Sequence, residues 1–225
     1  ILFERNFKDP DQLIRLIADL QSLAMSCPAS VPLFISVDQE GGRVARLKSP
    51  FSNFPQPSCL GQAQSESLAY RFGLALGREM KVVGINMVYA PVLDVNTNPA
   101  NPIIGTRALS DIPKLAGRMG KAVIDGIKAA GVFPVGKHFP GHGDTDRDSH
   151  LELPYVNREV DSLEKIELEP FIQTISHGMQ IIMTAHVIYS AWDDQLPATF
   201  SPFILKSILR EKLGFDGLII TDDLE

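Results

Sequence analysis

Five times along this chain an amphipathic helical stretch runs into a short apolar segment that ends in polar, reactive side chains. Residues 9–23 precede LFISVD (33–38), 65–83 precede INMVYAPVLDV (85–95), 113–130 precede FPVGKHF (133–139), 160–176 precede QIIMTAHVIY (180–189) and 202–213 precede GLIITDD (217–223). The apolar segments show little polar alternation, as strands covered on both faces do. Helix then strand, repeated, is the signature of a parallel sheet wrapped by helices. Two architectures meet that description, the doubly wound open sheet and the (β/α)8 barrel. The strand ends separate them: Asp38, Asp94, Lys137 with His138, His186, and Asp222 with Asp223 all stand at C-terminal ends. A barrel gathers every such end at one mouth, whereas an open sheet gathers only those near its switch point. The reading is therefore a (β/α)8 TIM-type barrel. No GxGxxG follows a strand and no GxxxxGK[ST] is present, which removes the main support for dinucleotide and P-loop chemistry.

Composition narrows the function classes. With 21 basic against 27 acidic side chains the net charge is −6, which argues against nucleic acid or an anionic membrane surface as partner. Two cysteines, Cys27 and Cys59, lack metal-ligand spacing and cannot form a disulfide framework. No apolar run approaches the roughly 20 residues of a membrane span. The chain opens on ILF, which reads as the end of a strand, and stops just after another, so both ends look cut. Residues 1–225 are expected to form one domain with about six of the eight barrel strands, the first and eighth missing, and to be unstable in isolation.

The densest chemistry is KHFPGHGDTDRDSH, residues 137–150, with three histidines, three aspartates and a lysine behind a buried strand. Metal binding is tested first, because His138, His142, Asp144, Asp146, Asp148 and His150 are all possible ligands. The D-x-D-x-D run from Asp144 fails as a calcium loop: Ser149 stands where glycine is needed and Tyr155 where glutamate is needed. No metal or other cofactor is expected. Acid/base chemistry fits better. Asp148 and His150 lie two apart, on one side of an extended loop, where a carboxylate can fix the imidazole tautomer and stabilise its protonated form. In LIITDD one of Asp222 and Asp223 faces the mouth as a nucleophile or electrostatic stabiliser, and either could instead cap a helix. In SVDQEGGRVARL, Asp38 is the residue expected to touch substrate, while Glu40 and Arg43 suit a structural ion pair at the rim. Arg107 follows the proline-rich loop NPANPIIGTR and suits multiple hydrogen bonds to hydroxyl or carboxylate groups.

In combination, DQEGGRV, GIN-x3-APVLDV, IG-x-R, KHFPGHG followed by D-x-D-x-DSH, AHVIY and LGFDGLIITDDL resemble family 3 glycoside hydrolases, in their NagZ-type β-N-acetylhexosaminidase branch, over essentially the whole chain. KHFPGHG with DSH is the most specific element, because the β-glucosidase branch lacks this loop. The resemblance implies a retaining exo-β-N-acetylglucosaminidase acting on a small carbohydrate, a muropeptide fragment or chitooligosaccharide, in the cytoplasm. It implies Asp222 as nucleophile, His150 as acid/base oriented by Asp148, and Asp38, Arg107, Lys137 and His138 as binders of sugar hydroxyls. One departure is ALS after Arg107, where this family often has Ser-Phe. The rival readings are a family 3 β-glucosidase, an N-acetylglucosaminide phosphorylase, and a noncatalytic protein that binds peptidoglycan fragments.

Overall fold

The computed structural model describes residues 1–145 and 153–224. It begins with Leu2 bridged in parallel to Val37, followed by helix α1 (Pro10–Ser26), whose N-terminus is capped by Asp9 accepting from the Gln12 amide. Strand β1 (Ser36–Val37) leads into a small hairpin, β2 (Gln39–Gly41) and β3 (Val44–Ala45). Helices α2 (Ser58–Ala63) and α3 (Glu66–Val82) precede β4 (Met87–Val88), and α4 (Pro113–Ala129) precedes β5 (Phe133–Pro134) and β6 (Gly136–Phe139). Then come β7 (Tyr155–Val156), α5 (Val160–Lys165), α6 (Glu169–Ser176), β8 (Ile181–Thr184), β9 (Ile188–Tyr189), a π-wound helix α7 (Phe203–Lys212) and β10 (Leu218–Thr221).

The pairing runs in sequence order without reversal. β1 pairs β4, β4 pairs β5, β6 pairs β8 and β8 pairs β10, all parallel, with Val92 bridged to Lys137 between the two sheets. An open doubly wound sheet reverses its order at the switch point. An unreversed series of parallel strands with helices between them is the TIM-barrel-like α/β arrangement.

Two apolar cores flank the sheet, one around Leu13, Leu76, Met80, Ile85 and Met119, the other around Leu93, Phe139, Phe171, Ile182 and Leu209. A smaller cluster, Met87, Val135, Ile181 and Met183, comes from the strands themselves. The tightest helix contact is α3 on α4. A Cβ on Gly73 would lie 2.2 Å from the Val123 carbonyl, and one on Gly126 would lie 2.2 Å from that of Tyr70, so only glycine permits this approach.

Several sequence expectations change in detail. The stretch 160–176 is two helices rather than one, because the chain turns out at Ile166–Leu168 and restarts with Pro170 in the first turn of α6, where its missing N–H costs nothing. Helix α2 falls in a stretch the periodicity left unassigned. On α1 only Leu13 and Ile17 are buried, although apolar Ile14 and Leu23 fall at helical spacing from them and are exposed. Among the described residues, no helix is long and apolar enough to cross a membrane.

Candidate functional site

The C-terminal ends of the strands bring the expected residues together. Asp38, one residue beyond β1, accepts from Lys137 Nζ at 2.7 Å. Lys137 also lies 2.6 Å from Glu40 Oε1, and Glu40 in turn accepts from Arg107 Nε and Nη2, both at 2.8 Å. The Glu40 and Lys137 side chains are 1% and 3% exposed, so this is a buried, bidentate ion-pair network. It also corrects the expected rim pair of Glu40 with Arg43. Arg43 donates instead to the carbonyls of Pro102 and Ile103, tying the β2–β3 hairpin to the loop that delivers Arg107. Glu40 turns away from Arg43 because two buried cations converge on it.

Burial works against charge at each of these groups, and the partners prevail. Burial alone would raise the Glu40 carboxyl, but the Lys137 and Arg107 charges hold it at about 2. Burial would lower Lys137, and the carboxylates of Asp38 and Glu40 raise it. Burial would likewise lower Arg107, and Glu40 keeps it protonated well above its ordinary range.

His138 stands beside this network. On a regular strand Lys137 and His138 would point to opposite faces, but the β6–β8 register shifts between Gly136 and Phe139, a local irregularity of the kind that re-aims side chains. His138 Nδ1 lies 2.6 Å from Asp94 Oδ2, and Asp94 Oδ1 accepts from the backbone amides of His138 (3.1 Å) and His142 (2.7 Å). Burial raises the Asp94 carboxyl, yet the facing His138 side chain brings it below its ordinary value. The other ring nitrogen, Nε2, is 3.5 Å from Arg107 Nη2 and 3.9 Å from Asp222 Oδ2.

Asp222 follows β10, and its Oδ1 accepts from the Asp223 amide at 2.9 Å. His186 braces the same segment, donating from Nε2 to the Asp223 carbonyl at 2.7 Å. Asp222 and Asp38 line a cavity of about 510 Å3 with Arg46, Tyr89 and Met183. A carboxylate reaching such a cavity from a strand end can attack an electrophilic carbon or stabilise a cation, and the buried cations Lys137 and Arg107 beside Asp38 can orient hydroxyls.

Other members of the 137–150 motif have structural partners. His142 Nδ1 meets Thr145 Oγ1 at 2.7 Å, and burial is the main cause that lowers this imidazole to about 4. Asp144 is taken by Arg158, whose Nε donates at 2.6 Å. Gly143 lies so close to Val95 that a Cβ would stand 1.7 Å from its carbonyl oxygen. Asp148 and His150 lie outside the described residues.

Sequence reasoning missed Glu40 as a member of the cluster, gave Asp94 no role and passed over Arg46. Glu40 carried a usable signal: it lies two residues beyond Asp38, on the same side of an extended segment. Arg46 reaches Asp38 at 3.7 Å from the second arm of the hairpin, a return that no spacing rule specifies.

Comparison with known proteins gives a consistent result. The profile of the glycosyl hydrolase family 3 N terminal domain matches residues 1–225. The chain is 39% identical to the beta-hexosaminidase A of Pseudoalteromonas piscicida and 40% identical to a beta-hexosaminidase of Nitrosomonas eutropha. All of the chain is covered in both, against 40% and 64% of the relatives' own lengths, so it spans about two fifths to two thirds of these proteins. Among solved structures it resembles a family 3 β-N-acetylglucosaminidase of Paenibacillus sp. (TM-score 0.97, 44% identity), with 100% of this chain and 43% of that one covered. It also resembles NagZ of Neisseria gonorrhoeae, solved with N-trifluoroacetyl-D-glucosamine (TM-score 0.92, 39% identity), with 99% and 66% covered. With its whole length matched by the family profile and its fold shared with these enzymes, the chain belongs to glycosyl hydrolase family 3, of which it carries the N-terminal domain.

Proposed function

We propose that residues 1–225 form the catalytic domain of a retaining exo-β-N-acetylglucosaminidase that removes terminal β-linked N-acetylglucosamine from peptidoglycan fragments. The observation that carries this reading is Asp222 at the C-terminal end of β10, facing a cavity shared with Asp38 and standing 3.9 Å from His138. Support for the sugar comes from the similar β-N-acetylglucosaminidases, one of them solved with an N-acylated glucosamine.

In this reading, Asp222 attacks the anomeric carbon through an oxocarbenium-like transition state while His150, oriented by Asp148, protonates the departing glycosidic oxygen. His150 then takes a proton from the water that releases the sugar from the covalent intermediate. Asp38, Lys137, Arg107 and His138 bind hydroxyls of the terminal sugar. Their ion pairing fixes these groups before substrate arrives, so little ordering remains to be done on binding. The peptidoglycan fragment and a cytoplasmic compartment follow from the resemblance to the NagZ branch.

The test uses a fluorinated N-acetylglucosaminide, with label located by peptide mass spectrometry. The unsubstituted protein is expected to carry the label on Asp222, and Asp222→Ala to carry none and to lose turnover. Labelling at another residue would overturn the nucleophile assignment. Faster turnover of the nitrophenyl glucoside than of the nitrophenyl N-acetylglucosaminide would overturn the substrate.

A further inference from the structure

Asp94 is fully buried and, among the described residues, makes three hydrogen bonds, all to the segment 138–142. Its two oxygens have separate duties. Oδ1 accepts two backbone amides, and Oδ2 faces His138 Nδ1 at 2.6 Å. An ionised carboxylate has no proton to give, so the proton in the short contact belongs to Nδ1. On the far side of the ring, among the described residues, Nε2 lies within 4 Å of a guanidinium nitrogen of Arg107, which can only donate, and of the Asp222 carboxylate.

We propose that Asp94 is a positioning residue that locks His138 in the Nδ1–H tautomer, so that a lone pair rather than an N–H faces Asp222. A donor at that place would hydrogen-bond the Asp222 carboxylate and draw off the electron density it needs to attack carbon. Holding the proton on the Asp94 side keeps His138 from adding a donor to Asp222 and leaves Nε2 as an acceptor for a substrate hydroxyl. This proposal rests on the reading of Asp222 as nucleophile given above.

Asp94→Asn is an unusually direct probe because the backbone fixes the amide's orientation. The His138 and His142 amides require an oxygen at the Oδ1 position, so the new NH2 must take the Oδ2 place and donate to His138 Nδ1. The imidazole proton then moves to Nε2 and points toward Asp222. The side-chain 15N resonances of His138 are expected to show a protonated Nδ1 in the unsubstituted protein and a protonated Nε2 in the variant. Loss of the orienting partner behind a metal-bound imidazole typically lowers activity about 10–100-fold, and a loss of the same order is expected for this ring. That loss in kcat is expected for Asp94→Asn alone, whereas the same substitution made on His138→Gln should cost less than about twofold, because its route of action is already gone.

An equal loss in both backgrounds would show that Asp94 acts through the backbone of 138–142 alone and would overturn the proposal. So would a proton on Nε2 in the unsubstituted protein, a measurement that stands even where Asp94→Asn fails to fold. Retained turnover by Asp222→Ala in the same series would instead defeat the underlying functional reading, leaving the tautomer result to be judged separately.

Discussion

Among the described residues two glutamates are buried, Glu40 and Glu167, and their protonation goes in opposite directions. Glu40 is held at about 2, while Glu167 is pushed up to about 8. Burial raises both, so burial is not what separates them. The difference lies in the supply of donors. Glu40 receives two from Arg107 and one from Lys137, all within 2.8 Å. Among the described residues neither oxygen of Glu167 has a hydrogen-bond partner, and Arg158, 3.7 Å away, spends its Nε and Nη2 on Asp144 and Thr97. Asp94 and Asp144 add like charge nearby. A buried acid is therefore an anion where cations are committed to it, and a neutral acid where one cation is shared among several carboxylates.

The largest test of this contrast is Glu40→Gln, which keeps the shape and removes the charge. It leaves Arg107 and Lys137 buried with Asp38 as the remaining acid of the cluster, and should cost about 3–5 kcal/mol of stability in chemical denaturation at neutral pH. A loss below about 1 kcal/mol would mean that the network is not what holds these charges in place.

The same substitution at Glu167 should have the opposite sign. In the unfolded chain this carboxyl ionises near 4.5, in the fold near 8. Between those values the native state keeps a proton that the unfolded chain has released, so stability falls as pH rises through the window, and the loss is complete above about pH 8. Glu167→Gln abolishes that slope. The variant should match the parent near pH 4 and exceed it by a few kcal/mol near pH 9. Parallel stability curves for parent and variant across this range would break the comparison.

The smallest effect is expected where water replaces protein as the surroundings. Asp125 holds His177 Nε2 at 2.9 Å from both oxygens, but the side chains are 44% and 42% exposed. Asp125→Asn should cost no more than about 0.5 kcal/mol, and nothing measurable in high salt. A loss comparable with that at Glu40 would show that proximity alone, without burial, sets the strength of these pairs.

How much of this could be read from the sequence follows a physical line. Helix starts were legible where a local device makes them: Asp9 caps α1, Ser65 caps α3, and Pro113 opens α4, each within a residue of expectation. The break between α5 and α6 was not, because apolar periodicity continues across Ile166–Leu168 while the regular ladder ends there, with Glu167 and Leu168 both donating to the Leu163 carbonyl. At the site, the reactive residues were legible one by one from their place at strand ends. Their pairing was not. Glu40 and Arg107 are 67 positions apart. Only the order in which the strands close together decides whether Glu40 faces Arg107 or its near neighbour Arg43, and spacing along the chain carries no information about that.

The joint at Glu40 bears on engineering. In barrels of this kind new specificities are usually sought by exchanging one βα loop at a time, on the view that each loop is an independent cassette on a fixed frame. Here the hairpin after β1, the loop after β4 and the end of β6 meet on a single carboxylate, and Arg43 adds a second strap between the first two. A graft that replaces any one of them strands a charge contributed by the others. Loop exchange in this protein should succeed only when all three segments travel together.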